Sequence, residues 1–324
     1  MPGTHYQETT PDGEKRFRHL DMGENPPEGV IVNYFIESEA NLTPEKPLEL
    51  IVLDANGAEI ERFSTKKTDE KSDKSESEES EPSDEKPSLT AKVGFNRFVW
   101  NMHYPGPEVK IDKSLEEAGY KPLGRGEAGP GGGPIAPPGS YQVCLKSGEN
   151  EIRHSFEIVK DPRLNTSPED FSAQFELWIK IRNRVSDLNS AINRIRRIKL
   201  QITELLGREN FNNSAEEKSF GEIQKAAETL REKFNTLENE LTQNQYETPS
   251  DRLRHPTMLK QRMEALVSVV AVADAAPPKQ AYSVFEHLSA LIDQRLAELS
   301  ELEEQEVVRL NQQIDQAGIR KLQG

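Results

Sequence analysis

Few residues in this sequence have the types and spacing that catalysis or metal binding requires. The histidines show neither an H-x-H nor an H-E-x-x-H spacing, so they predict no metal site. The single cysteine, Cys144, excludes an intrachain disulfide and a cysteine-rich zinc site. No G-x-S-x-G motif is present to place a nucleophilic serine. The sequence therefore predicts no catalytic, cofactor-binding or metal-binding residue. The six histidines are His5, His19, His103, His154, His255 and His287.

One segment matches the G-x-G-x-x-G pattern of dinucleotide-binding proteins, at residues 124–129. That motif binds a pyrophosphate only when it follows a buried strand and opens a helix. Here Pro122 precedes the motif and Pro130 follows it, within a stretch rich in glycine and proline. No helix can begin there, and the segment is predicted to be a loop.

The only compact basic cluster is Arg194, Arg196, Arg197 and Lys199. It has two interpretations: a contact for an anion or carboxylate ligand, or ion pairs with neighbouring acidic helices. We favour ion pairing, with the cluster spread over the helix face opposite the apolar residues 192, 195 and 198.

The aromatic segment 97–104 also has two interpretations. Alternation places Phe98, Trp100, Met102 and Tyr104 on one strand face. Such a face forms a platform for a sugar if it is exposed, or the core of a β-sandwich if it is buried. The large apolar neighbours of Trp100 favour the core. Cys144 alternates with Tyr141, Val143 and Leu145, which predicts that it lies on the face opposite the core.

Short β-branched and aromatic runs fill the first half of the chain. With turn signals between them, they predict about seven strands of an antiparallel sandwich. The Asn56-Gly57 pair predicts a hairpin. The predicted strands are 30–36, 48–53, 60–63, 89–93, 97–104, 140–146 and 152–159.

Two long loops interrupt these strands. The acidic insertion 65–87 contains no aliphatic or aromatic side chain, which predicts that it is disordered. It has two interpretations: a binding tail or phosphorylation target, or a solvated loop, which we favour. The second loop, 105–138, is rich in glycine and proline. The N-terminal residues 1–25 contain no apolar core typical of a signal peptide and are predicted to form a flexible tail, with one short pairing segment at Arg16–Leu20.

Helical periodicity begins after residue 165. Ser167 and Pro168 form a helix start, and Gly207 is the predicted end. A second helix has apolar residues at alternating steps of three and four from Phe220 to Leu241, a seam typical of helices packed along each other. Two more helices, from about Met258 to Ala275 and after Pro278, complete a predicted four-helix bundle over 166–320.

Composition limits the partners. The 324 residues include 41 Lys+Arg and 56 Asp+Glu, a net charge of -15. Nucleic acid and anionic membrane surfaces are therefore unlikely partners, because both select for basic proteins. No apolar stretch is long enough to predict insertion into a membrane.

Several segments together resemble a C-terminal region of large bacterial proteins that begin with sortilin-like β-propellers built from BNR (Asp-box) repeats and are often labelled glycosyl hydrolases. The similarity extends over roughly residues 22–318. The segments that show it are 23–30, Tyr34-Phe35, 94–107, 137–141, 159–163 and 252–256.

The resemblance implies an α+β protein in two domains: an Ig-like antiparallel β-sandwich over 26–160, followed by an all-α helical bundle with coiled-coil character. It also implies that this chain is a tail module without its propellers, because no S-x-D-x-G-x-T-W repeat occurs. The family usually has Asp where this chain has Asn101, and the acidic insertion is atypical. Any hydrolase activity that the family label implies would belong to the missing propeller.

We therefore expect a noncatalytic accessory or interaction module, with no cofactor. Its expected partner is a separately encoded propeller protein or a second copy. Two alternatives remain, a glycosyl hydrolase-associated protein and a carbohydrate-binding sandwich. The resemblance suggests an exported or periplasmic protein, although the N-terminal residues do not read as a signal peptide, so the sequence leaves the compartment unknown.

Overall fold

The computed structural model describes residues 5–9, 15–19, 27–37, 47–65, 88–115, 132–207, 214–244 and 253–317. It is an α+β protein, with small antiparallel sheets in the first half and four helical stretches in the second. The acidic insertion lies outside the described residues apart from Thr65, as does the 116–131 part of the Gly/Pro loop.

The described strands form three antiparallel groups. The first two strands pair as a hairpin inside the region predicted to be a flexible tail, and the second of them nearly coincides with the predicted pairing segment. The third and sixth strands form a two-stranded sheet, and the other four form a sheet in the order β5-β4-β7-β8. The strands are β1 His5–Thr9, β2 Lys15–His19, β3 Val30–Ile36, β4 Leu48–Leu53, β5 Glu59–Ser64, β6 Gly94–Trp100, β7 Gly139–Ser147 and β8 Asn150–Ile158.

The two larger groups share one buried cluster. Tyr34, Phe98 and Trp100 enter it from the β3–β6 sheet, while Leu50 and Tyr141 enter it from the four-stranded sheet. Successive strand residues point to opposite faces, so alternate residues of β3, β4 and β7 join or pack against the cluster. The prediction that Trp100 is a core residue is confirmed, since its exposed fraction is 1%.

The hairpin predicted between β4 and β5 is present. Asp54 Oδ1 accepts hydrogen bonds from the backbone N–H groups of Asn56 and Ala58, both at 2.8 Å. Gly57 takes a φ of 81°, a conformation that glycine adopts without the steric cost of a side chain.

The prediction for residues 89–104 is partly wrong. Residues 89–93 are not a strand, because Asn96 folds its side chain back onto Lys92 and Gly94 instead of leaving that backbone free to pair. The following strand ends at Trp100 and not at Tyr104. Met102 has a φ of 62°, which turns the chain out of the sheet.

The four helical stretches are α1 Pro168–Leu206, α2 Ser214–Leu241, α3 Leu259–Val270 and a last stretch made of α4 Lys279–Glu301, a π-helical turn Leu302–Val307 and α5 Val308–Gln316. The predicted limits of α1 are confirmed. Ser167 and Asp170 form a reciprocal capping box, and Gly207 is the C-cap. All four stretches contribute to one buried cluster.

Two predictions for the last helices need correction. The third helix ends at Val270 and not at Ala275. The last helix contains a π-helical turn that the apolar pattern did not predict. A π-helical turn accommodates one extra residue. The step of five from Leu302 to Val307 therefore still keeps Val307 buried.

Candidate functional site

The two-stranded β3–β6 sheet exposes apolar side chains on the face turned away from the core. We call this surface the outer face. Its cross-strand pairs are Ile31 with Val99, Asn33 with Arg97, and Phe35 with Phe95.

The aromatic pair is the most exposed part of the outer face. Phe35 has 56% of its surface exposed and Phe95 has 85%. Their rings meet edge to face, with centroids 5.2 Å apart and planes at 73°. Two large apolar side chains that contact each other and remain in water are typical of a surface that binds a partner.

The remaining pairs frame the aromatic residues. Arg97 donates from Nε to Asn33 Oδ1 over 3.2 Å, which fixes a polar centre on the sheet. Ile31 is 41% exposed on the far side of this polar pair. The outer face thus has apolar ends around a central hydrogen bond.

A stripe of polar residues on α1 joins the helices to the loop that follows β6. Asn189 Nδ2 donates to the Val109 carbonyl and Asn193 Nδ2 to the Lys110 carbonyl, each over 2.8 Å. Ser186 Oγ accepts the Glu108 N–H over 2.8 Å. This stripe was not predicted, although its signal is present in the sequence: the three residues recur at steps of three and four beside the apolar stripe of α1.

Aromatic contacts complete this junction. Tyr104 meets Phe175 edge to face at 4.8 Å, and His103 lies near Trp178 with ring centroids 6.4 Å apart. Burial raises the pKa of the Tyr104 phenol, which therefore stays protonated at neutral pH. The tight packing explains Gly133, where an added Cβ would lie 2.1 Å from the Pro105 carbonyl oxygen.

A cavity of about 160 Å³ opens at this junction. Its walls include Met102, Phe175 and Trp178. Two exposed residues, Ile135 and Val159, also line it. Gln174, the amide in the wall, already donates to the carbonyls of Val270 and Ala273 at 2.6 Å. The side-chain amide of Gln174 is therefore satisfied within the protein and is not left free in this cavity.

Three of the four residues of the basic cluster form ion pairs, as favoured from the sequence, while Arg197 is exposed. Arg194 pairs with Glu303, and Arg196 Nε donates to Glu238 Oε1 over 2.7 Å. Lys199 Nζ donates to the other oxygen of Glu238 over 2.9 Å. The predicted position of Arg196 was wrong: its side chain is buried between α1 and α2 and does not lie on an exposed face.

The net pKa of Glu238 reflects opposing effects. Burial raises the pKa of this carboxyl, while the charges and hydrogen bonds of Lys199 and Arg196 lower it, and the net pKa lies below the ordinary value. Glu238 is therefore ionised at neutral pH and neutralised by its two cations. This network explains the cluster without an external anion.

A groove of about 390 Å³ runs along the π-helical turn, between α2 and the last helix. Three glutamates line it, Glu298, Glu301 and Glu306. Glu298 is paired with Arg295 at 2.8 Å and Glu306 with Lys233 at 2.5 Å. A carboxyl group that acts as a general acid is usually kept neutral by apolar surroundings, which this open, ion-paired groove does not provide.

The other residues considered for chemistry are spread apart. Within the described part of the chain, no group of three or more histidine, cysteine or acidic residues could hold a metal ion. Cys144 lies opposite the main core, as predicted, but it is buried with Ile51 and Leu53. Burial raises the pKa of its thiol, with Glu151 contributing, so that it is not a ready nucleophile.

No model of a known protein family matches this chain. Comparison with curated proteins and with solved structures likewise returns no match. None of the described helices has the length and apolarity needed to cross a membrane.

Proposed function

We propose that this chain is a noncatalytic accessory module that binds a protein partner through the outer face. The observation that supports the proposal best is the Phe35–Phe95 pair, two rings in mutual contact that remain largely exposed. Fully burying a phenylalanine side chain contributes about 1.5–3 kcal/mol. Two such rings at the centre of an interface are sufficient for a binding hot spot.

The partner that we propose first is a separately encoded propeller protein, and a second copy of the chain is the other. The propeller rests on the resemblance of segments such as 94–107 to the tail of sortilin-like, BNR-repeat proteins. The net charge of -15 opposes close approach of two copies, which favours a different protein as the partner.

The finer description of the fold is part of this proposal. An Ig-like sandwich is supported by the buried cluster that takes side chains from both sheets. A helical bundle with coiled-coil character is supported by the seam of α2, all of whose apolar residues from Phe220 to Leu241 are buried. In this arrangement the helices hold the loop after β6 and leave the outer face free.

The alternatives are a glycosyl hydrolase-associated protein and a carbohydrate-binding sandwich. Trp100 is buried and cannot serve as a sugar platform. Phe35 and Phe95 are exposed, but their planes stand at 73° and do not form the single flat surface on which a sugar ring stacks. No specific observation favours either alternative over binding to a protein.

The experiment measures binding of the purified chain to the propeller protein encoded nearest to it, to itself by sedimentation, and to a panel of glycans. Phe35→Ser combined with Phe95→Ser should weaken protein binding at least about tenfold, since 1.4 kcal/mol corresponds to a factor of ten. Ile152→Ser is the matched control, because Ile152 is 70% exposed on β8 of the other sheet.

Equal loss of binding in the control and the double variant would contradict the assignment of the outer face. Binding to a glycan that the double variant loses would favour the carbohydrate-binding alternative. Turnover of a glycoside by the purified chain would refute the noncatalytic role.

A further inference from the structure

The β3–β6 sheet has an edge that no described strand occupies. β3 pairs with β6 alone, whereas the sheet facing it has four strands. The far edge of β3 therefore presents backbone N–H and C=O groups outside any strand pair. Such an edge is a template for another strand.

Burial along β3 shows where the incoming strand would lie. Val30, Val32, Tyr34 and Ile36 all join or pack against the core of the sheets. Tyr34 and Ile36 are buried, but Val30 and Val32 are only half-buried. The core is thus less well covered beside the N-terminal half of β3.

The segment that fits this position is the N-terminal hairpin. Ten residues, 20–29, connect the end of β2 to the start of β3. This connection is longer than the roughly two to five residues of a tight hairpin loop but still within the lengths that occur in compact domains. An antiparallel β2 would lie beside the N-terminal half of β3, where the valines are half-buried, and β2 supplies one apolar residue, Phe17.

Charge favours β2 over a second copy of β3. Exposed Glu28 precedes β3 and exposed Glu37 follows it. Antiparallel pairing of two β3 strands would bring these like charges together. β2 carries only cationic charged residues, Lys15, Arg16 and Arg18, so it brings no carboxylate beside either glutamate.

We propose that β2 adds to the free edge of β3 in the same chain, with Phe17 opposite Val32 on the core side. In this register Arg16 lies opposite Asn33 on the outer face. β1 then becomes the edge strand of a four-stranded sheet, and the outer face gains the alternate residues of the hairpin. This inference does not depend on the proposed partner.

Disulfide crosslinking of the full chain tests the pairing, on a Cys144→Ala background that removes the only native thiol. Arg16→Cys is combined in turn with Ile31→Cys, Asn33→Cys and Phe35→Cys. Residues directly opposite in an antiparallel pair have Cα atoms about 4.5–5.5 Å apart, a separation that a disulfide spans. Arg16→Cys with Ser283→Cys, exposed on α4, is the control for random encounters.

Mild oxidation followed by intact mass and a non-reducing gel separates the outcomes. We expect the Asn33 pair to form an intramolecular disulfide roughly ten times faster than the control, and 8 M urea to remove that advantage. Fastest closure at Ile31 or Phe35 supports the docking with the register moved by two residues. Overturning results are closure no faster than the control for all three pairs, or a disulfide-linked dimer as the main product, which would assign the hairpin to a second copy.

Discussion

Replacing Glu238 tests the most deeply buried ionic contact of the helical region. Its side chain is 3% exposed and accepts from Arg196 at 2.7 Å and from Lys199 at 2.9 Å. Glu238→Gln keeps the shape of the side chain but leaves two buried cations without a counter-charge. Breaking a buried pair in this way typically costs about 3–5 kcal/mol.

The same helix offers a matched control. Glu240 forms an ion pair with Arg295 at 2.5 Å, but its side chain is 45% exposed. Exposed pairs contribute at most about 1 kcal/mol, so Glu240→Gln should change little. Urea denaturation followed by helical circular dichroism at pH 7 measures both free energies of unfolding.

The pH dependence of the unfolding free energy provides a second test of the stabilisation by Glu238. The pKa of Glu238 in the folded protein lies below its ordinary value of 4.5, so its stabilisation is complete above about pH 4.5 and is lost as pH falls through the folded pKa. The difference in unfolding free energy between wild type and Glu238→Gln should therefore shrink as the pH falls below 4.5. For the control variant Glu240→Gln, the difference in unfolding free energy from wild type should not shrink to a comparable extent over the same pH range.

A triple variant separates the cost of leaving a buried charge unpaired from the loss of the network as a whole. This variant combines Arg196→Met, Glu238→Leu and Lys199→Met, which replace the network by apolar side chains. Its free energy of unfolding is expected to equal that of wild type or to exceed it by about 1–4 kcal/mol.

The reasoning is refuted if Glu238→Gln costs no more free energy of unfolding than Glu240→Gln, because the network would then be screened by water and not buried.

Three further predictions concern the helices and loops. Phe234→Ala should cost about 3–5 kcal/mol in urea denaturation, because Phe234 is fully buried in the α2 seam; an unchanged midpoint with a lost oligomer would place that seam at an intermolecular contact. Replacing Lys66–Pro87 by a short Gly-Ser link should shift the Tm by only a few degrees, as its composition cannot form a core, and a large loss would contradict that interpretation. Deleting Glu304 shortens the step from Leu302 to Val307 to four residues, which an ordinary α-helix accommodates, so the Tm should hold or rise; a fall of more than about 5 °C would mean that the π-helical turn itself is required.

The helices were the most predictable part of the fold, because their signals are local. Ser167, Pro168 and Gly207 mark both ends of α1 within the sequence. The seam of α2 has an unbroken alternation of three and four, and each of its residues is buried. The π-helical turn was not predicted, although the step of five from Leu302 to Val307 was present in the sequence as its signal.

The sheets were less predictable, because strand ends and neighbours depend on distant contacts. Alternation of Phe98, Trp100, Met102 and Tyr104 continues past the true end of β6, and nothing in that pattern shows the positive φ of Met102. The burial of Arg196 likewise depends on Glu238, 42 residues away. Short-range patterns identify a basic cluster but not its partner.

The outer face was not predicted, for a related reason. Phe35 and Phe95 each look like ordinary strand residues, and they become a surface only when β3 and β6 pair in this register. Exposure is a property of the whole fold: the same alternation that buries Tyr34 exposes Phe35.

Hydroxyl-radical footprinting of the chain, free and mixed with the propeller protein, tests the central claim most directly. The proposal predicts that oxidation of the Phe35 and Phe95 rings falls several-fold on mixing, while oxidation of exposed Ile152 and Leu253 is unchanged. Protection at Ile152 or Leu253 with Phe95 still fully reactive would contradict the assignment of the outer face as the binding surface.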